Sequence, residues 1–151
     1  MKDIIIIGSG PAGLSAAVYG RRAGLDILVI EKEYCGTGQI AESGQVDNYL
    51  GIPGIDGYSL GEKFREHAEN LGTTFLEEEV TKLEQSDGYW KVLLAGGDVL
   101  ETKTVIYAAG ASHRHLNVPG EDKLSGRGVS YCATCDGAFF QGKTTAVIGG
   151  G

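Results

Sequence analysis

Two groups of residues in this sequence have the types and spacing of chemistry. Cys132-x-x-Cys135 sets two thiols one helical turn apart, within reach of a redox disulfide. A thiolate at a helix start is stabilised, so one member of such a pair becomes a good nucleophile near neutral pH. Zinc is a competing reading. A tetrahedral site needs four ligands, and Cys35, His67, His113 and His115 are the nitrogen and sulfur donors left to complete it. None of them forms a second close pair with cysteine-like spacing. An inert cysteine pair is the third reading. Asp136 directly follows the second cysteine. It can exchange protons with the thiols, or it is a solvated acid at a helix start. Cys35, in the loop Gly36-Thr37-Gly38-Gln39, reads as a bystander close to a ligand. His113 and His115 flank Arg114, with no carboxylate or nucleophile tied to them by spacing, and read as surface residues.

The second group is Gly8-x-Gly10-x-x-Gly13, between an apolar run and a helix-forming stretch. Gly8 permits a sharp turn, Gly10 lets the backbone approach a pyrophosphate, and Gly13 lets helix and strand pack closely. The free N–H groups of the helix start then face the phosphates, with the helix dipole in support. Glu31 follows Gly13 by 18 residues, where a carboxylate can accept both ribose hydroxyls of an adenosine. The plain alternative is a tight strand–helix turn. Spacing does not separate FAD from NAD(P). The N-terminal position favours FAD, as flavoprotein reductases commonly carry their flavin cradle there. Thr104 to Gly110 looks like a later flavoprotein motif, an apolar strand ending in Ala-Thr-Gly. Ala109 stands where that motif has Thr, and an ordinary buried strand remains the other reading.

The elements that must position these groups follow from periodicity. Ile4–Ile7 and Ile27–Ile30 are short β-branched runs, the pattern of strands buried on both faces. With the stretch from Ala12 to Gly24 predicted as a helix, they form a βαβ unit. Tyr34 to Gly57 is irregular and glycine-rich, a ligand-covering loop. Leu60, Phe64, Ala68 and Leu71 recur at helical spacing, with Ser59 as N-cap and Gly72 as the stop. Thr73–Leu76 and Val80–Leu83 are predicted strands. Tyr89–Leu94 and Asp98–Glu101 flank Ala95-Gly96-Gly97 as a hairpin in which Trp90 covers a sheet face. Thr104–Ala109 is a further buried strand. The polar stretch from His113 to Gly128 opens as a hinge. Thr145–Ile148, followed by three glycines, reads as the opening strand of a second dinucleotide fold.

Composition narrows the classes. With 42% hydrophobic and 22% charged residues over 151 positions, the chain is long enough for a domain with a sizeable core. The 25 glycines lack a period, which points to turns and close backbone approach. A net charge of −7 without a basic run argues against nucleic acid. No apolar stretch reaches the roughly 18 residues that span a bilayer, and the Ile run is cut short by Gly8. The expectation is a cytoplasmic protein. Three cysteines do not make a structural disulfide framework.

Taken together, these residues closely resemble the low-molecular-weight bacterial thioredoxin reductases. The resemblance runs along the whole chain. It rests on residues 6–14, Gly38-Gln39, Val46-Asp47-Asn48-Tyr49, Pro53-Gly54 and residues 126–130, and most specifically on Cys132-Ala133-Thr134-Cys135-Asp136-Gly137. It implies an α/β fold: an incomplete three-layer Rossmann-like FAD-binding domain in residues 1–113. The hinge and the start of a second Rossmann-like, NAD(P)H-binding domain would occupy residues 114–151. It implies an FAD-dependent NADPH:disulfide oxidoreductase, with electrons passing from NADPH to FAD, to the disulfide and to thioredoxin. Cys135 would face the flavin, Cys132 would attack the partner's disulfide, and Asp136 would be the acid/base. The residues implied for FAD are Gly8, Ser9, Gly10, Pro11, Ala12, Gly13, Glu31, Lys32, Gly38, Gln39, Asn48, Val80, Ala109 and Gly110, with no metal ligands. Family members are homodimers with no nucleic-acid or membrane partner.

The sequence departs from that family by stopping before the rest of the NADPH cradle, its basic 2′-phosphate site and the C-terminal flavin segment. It is therefore expected to be an N-terminal part, inactive alone, with weakened FAD affinity and an exposed apolar edge prone to self-association. The rival readings are the flavoprotein subunit of an alkyl hydroperoxide reductase, a ferredoxin-linked disulfide reductase, and a non-enzymatic nucleotide-binding module with the dithiol as a switch.

Overall fold

Four consecutive isoleucines cannot leave either side of a strand in water, and the fold gives them two dry faces. In a computed structural model, which describes residues 1–34 and 38–149, β1 (Lys2–Ile7) lies inside a six-stranded sheet. α1 (Pro11–Arg22) leads to β2 (Ile27–Glu31), which pairs parallel to β1 with Ile4 opposite Ile27 and Ile7 opposite Ile30. α2 (Gly57–Asn70) leads to β3 (Thr74–Glu77), parallel to β2. β4 (Val80–Ser86), β5 (Tyr89–Leu94) and β6 (Val99–Tyr107) form an antiparallel meander, and β6 returns to pair parallel with β1. The strand order is β3-β2-β1-β6-β5-β4.

Period-two alternation along β1 divides the core. Ile6 packs with Leu14 and Ala17 of α1 and Ala68 of α2. Ile5 and Ile7 point the other way, to Ile30 and to Val92 and Leu94 of β5. Helices therefore cover one face and the meander covers the other, a layered α/β arrangement of Rossmann type. Ile5, Ile6, Leu14, Ile27 and Val92 are essentially solvent-free. Each such side chain contributes on the order of 1.5–3 kcal/mol.

Several local expectations are corrected. Helix α2 begins earlier than Ser59: its N-cap is Asp56, whose carboxylate accepts the Ser59 N–H at 2.8 Å. A carboxylate three residues ahead of the predicted cap satisfies the same kind of orphan donor. Asp98–Glu101 and Thr104–Ala109 are not separate strands. β6 runs unbroken through Thr102, which is fully buried, its hydroxyl donating to the carbonyls of Lys2 and Thr104 at 3.2 and 3.0 Å. Nor is that strand buried on both faces, since Tyr107 is 74% exposed.

The chain divides into two compact units, Met1–Gly110 and Ala111–Gly151. The second holds α3 (Glu121–Leu124), α4 (Ala133–Asp136), a 3-10 turn at Gly137–Phe140 and a bridge between Ser125 and Val129. Thr145–Ile148 is not a strand. Strands need a neighbour for their amides and carbonyls, and none pairs with this segment among the described residues. Val147 and Ile148 stay exposed. No helix among the described residues is long and apolar enough to cross a membrane.

The cap assignment is open to a direct check. Asp56→Ala lowers the melting temperature by a few degrees, whereas Ser59→Ala, which leaves the accepting carboxylate in place, changes it little. Thermal denaturation followed by circular dichroism reads both.

Candidate functional site

The carboxyl ends of β1, β2 and β6 meet where the strand order turns, the position at which open α/β sheets hold ligands. Gly8 leaves β1 with its N–H bonded to the Ile30 carbonyl at 2.8 Å and a φ of 105°. That φ suits glycine, and a Cβ there would strike the carbonyl oxygen of Ala108. A Cβ on Gly13 would strike the Gly8 carbonyl. Helix and strand thus touch backbone to backbone. Gly10 is different: the space its Cβ would fill is open. It caps α1 with no side chain of its own, Pro11 fills the first helical position, and no acid occupies the first turn. The amides and dipole at this end are left for an anion.

A cleft of about 680 Å³ opens over this turn. Of the residues the sequence points to, Gly8, Ser9, Gly10, Glu31, Lys32, Gly38, Val80, Ala109 and Gly110 line it. Pro11, Ala12, Gly13, Gln39 and Asn48 do not. Gly13 acts from beneath through its packing on Gly8, Gln39 lies in a 3-10 turn at Gly38–Glu42, and Asn48 is exposed in the following loop. Cys35, Gly36 and Thr37 lie outside the described residues. The groups present fit a dinucleotide: three glycines that each leave or remove a specific volume, an unopposed helix start, and a carboxylate on the neighbouring strand.

That carboxylate has a partner the sequence reading missed. Glu31 is 3% exposed, and Arg65 Nη1 donates to both its oxygens at 2.7 and 2.8 Å. Burial opposes the charge on Arg65, but its hydrogen bonds to Glu31 and Glu69 outweigh this and raise its pKa. Arg65 lies about 100° round the helix from Phe64, at the border of the apolar stripe. An arginine there looks like a solvent-facing residue, and no local pattern tells otherwise.

In the second unit Cys132 and Cys135 form a disulfide, with Cα atoms 5.3 Å apart. Cys132 is the N-cap of α4 and its sulfur accepts the Cys135 N–H at 3.1 Å. This donor would stabilise a thiolate on Cys132 after reduction. Asp136 is half-buried. Its Oδ2 accepts the Ser130 hydroxyl at 2.6 Å, and the Ser130 oxygen accepts the Cys132 N–H at 3.1 Å. Ser130 thus joins the acid to the cysteine backbone, a role that spacing alone did not suggest.

Tyr131, next to the dithiol, is tied down separately. Its hydroxyl donates to Glu121 Oε1 at 2.5 Å and lies 3.2 Å from His115 Nδ1, and its ring stacks on His113 at 3.8 Å. Glu121 is 4% exposed and also accepts the N–H groups of Leu116, Asn117 and Val118. The Tyr131 hydroxyl, followed by these amides, lowers the Glu121 pKa to about 2, and the same bond pushes Tyr131 up to about 12. His113 and His115 are exposed, as expected, but they brace Tyr131.

A glycine turn that fits a dinucleotide and a cysteine disulfide thus occur in one chain. Residues 2–151 match the family model for pyridine nucleotide-disulphide oxidoreductase, and the chain belongs to that family. It is 48% identical over 149 residues to the thioredoxin reductase of Bacillus subtilis (strain 168), a match covering 99% of this chain and 46% of that protein. The crystal structure of thioredoxin reductase from Streptococcus pyogenes MGAS5005 superposes with a TM-score of 0.82 at 44% identity, over 93% of this chain and 45% of that one. A ferredoxin-flavin thioredoxin reductase from Clostridium acetobutylicum gives a TM-score of 0.70 at 35% identity, over 95% and 49%. The chain spans about half the length of the curated relatives it matches.

The Glu121 clasp has a pH signature. A carboxyl whose pKa is lowered on folding adds stability that is complete above its unfolded value, near 4.5, and is lost as pH falls toward about 2. Residues 111–149 should therefore loosen in that acid window. Glu121→Gln removes this pH dependence and weakens the unit at neutral pH. The Tyr131 ring resonances, followed by NMR against pH, check it.

Proposed function

We propose that the chain is the N-terminal part of a thioredoxin-disulfide reductase, a flavoprotein passing electrons from NADPH through FAD to the Cys132–Cys135 disulfide and on to thioredoxin. The observation that carries this reading is that disulfide, capping a short helix with Asp136 hydrogen-bonded beside it, in a chain whose cradle fits a dinucleotide. In this reading residues 1–113 belong to the FAD domain. Residues 114–151 begin the NADPH domain, whose nucleotide site lies largely in further sequence. The protein works in the cytoplasm as a homodimer, without nucleic-acid or membrane partners, and the net charge of −7 supports the former exclusion.

The glycine turn would receive the pyrophosphate of FAD on the α1 amides, and Glu31 would accept ribose hydroxyls. Lys32, Val80, Ala109 and Gly110 would shape the rest of the cleft. FAD, when bound, supplies a two-electron carrier between the nicotinamide and the disulfide. Two electrons and two protons convert Cys132–Cys135 to a pair of thiols. The Cys132 thiolate, held by the Cys135 amide, attacks one sulfur of the partner's disulfide. A mixed disulfide forms and one partner thiolate leaves. Cys135, the flavin-facing thiol in this reading, then attacks Cys132 as a thiolate. The intramolecular disulfide is restored and the second partner thiolate is released. Asp136 takes the proton of an attacking thiol and delivers it to the leaving partner sulfur, so that the protons of the dithiol end on the partner's thiols.

The likeness to the Clostridium acetobutylicum protein favours a second reading for the electron donor, reduced ferredoxin in place of NADPH.

The purified chain, mixed with FAD and freed of excess, should retain flavin absorbance. In the full-length protein, NADPH should reduce thioredoxin, and Cys135→Ser should abolish turnover. A protein that stays colourless at full length would sink the cradle reading. Turnover with reduced ferredoxin but not NADPH would transfer the assignment to the second donor.

A further inference from the structure

A cation lies beneath the cradle that the glycine motif does not include. Arg65 comes from α2, 34 residues after Glu31, yet it is 7% exposed and gives Nη1 to both oxygens of that carboxylate. Its Nε donates to Glu69 at 2.8 Å, and the guanidinium lies over the Phe75 ring at 4.0 Å and the Tyr34 ring at 4.7 Å. The head group is thus held on its edges by acids and covered by rings. These contacts fix it in one orientation.

Burying such a pair is costly. A well-packed apolar pair of the same volume commonly serves a core as well or better. What an apolar pair cannot supply is a fixed carboxylate at the wall of a cleft. An ionised carboxylate has about four lone-pair directions, and Nη1 uses one on each oxygen. The carboxylate keeps further lone pairs, and Glu31 is one of the residues that line the cleft.

We propose that Arg65 is a positioning residue of the dinucleotide cradle. It holds the Glu31 carboxylate in one orientation, so that its unused lone pairs accept the ribose hydroxyls of the bound dinucleotide. This rests on the reading of the cleft as a dinucleotide site. The other charges around Glu31 do not do this work. Glu77, its register partner on β3, and Glu69 on α2 are acids. Lys32 is engaged by Glu79 at 3.1 Å, and Glu78 contributes its backbone N–H to the Glu31 carbonyl. With Arg65 removed, the carboxylate loses both hydrogen bonds that fix its plane, and its oxygens are no longer held in one orientation.

The test is FAD affinity by flavin fluorescence on the FAD-stripped full-length protein. Wild type, Arg65→Met, Arg65→Lys, Glu31→Gln and the double variant Arg65→Met with Glu31→Gln are compared. Arg65→Met should bind roughly tenfold more weakly than wild type, the loss of one charge-assisted hydrogen bond at the ribose. Arg65→Lys, which returns a donor to Glu31, should recover part of that affinity. Glu31→Gln should also bind weakly. The double variant should match Glu31→Gln, because Arg65 acts through Glu31. Wild-type affinity in Arg65→Met overturns the proposal. So does a double variant weakened well beyond Glu31→Gln. Should Arg65→Met fail to fold, the double variant, which leaves no buried charge unpaired, decides on the second criterion. Wild type that binds no FAD removes the cradle reading and the proposal together, an outcome distinct from either of the others.

Discussion

At the end of β1 the chain has no room for a methyl group. A Cβ on Gly8 would meet the Ala108 carbonyl, and one on Gly13 would meet Gly8. This contact sets how closely α1 lies on the sheet. It thereby sets where the helix start points and how near Ala109 and Gly110 come to the turn. Everything in the cleft is referred to that distance. The four-isoleucine run secures it from both sides, since Ile6 anchors the helical face and Ile5 and Ile7 anchor the meander.

The two candidate centres are built by opposite means. The cradle uses backbone and exclusion: glycine volumes, strand ends and an ion pair shielded by aromatic rings. The dithiol centre uses short-range polar bonds in a stretch with little apolar burial. Glu121 gathers three amides and a phenol, and Ser130 links Asp136 to the Cys132 amide. A surface made of such bonds is open to a partner. A cleft held by packing keeps its shape for a cofactor.

The legible parts of the sequence were those where residue type admits one local solution. Ile4–Ile7, the Gly8–Gly13 turn and Ile27–Glu31 could be read as a βαβ unit because β-branched runs and positive φ leave few choices. Cys132-x-x-Cys135 could be read because a disulfide needs that reach. The continuity of β6 was hidden by Glu101-Thr102-Lys103, polar residues that look like a break. The buried Thr102 hydroxyl is satisfied by carbonyls distant in sequence or in the same strand, which no window shows. Arg65 was illegible for the same reason: its burial depends on Glu31, Phe75 and Tyr34, all outside its own helix. Thr145–Ile148 was over-read, because an apolar run states a preference for pairing and does not provide a neighbour.

The disulfide closes a loop with a sequence separation of three. A cross-link stabilises a fold chiefly by the chain freedom it denies the unfolded state, and that denial grows with loop length. One this short contributes little of the kind. The bonds that hold Tyr131 to Glu121, and Glu121 to the amides before α3, contain no sulfur. The contacts that hold Tyr131 and Glu121 therefore do not run through the bridge, and opening it breaks none of them.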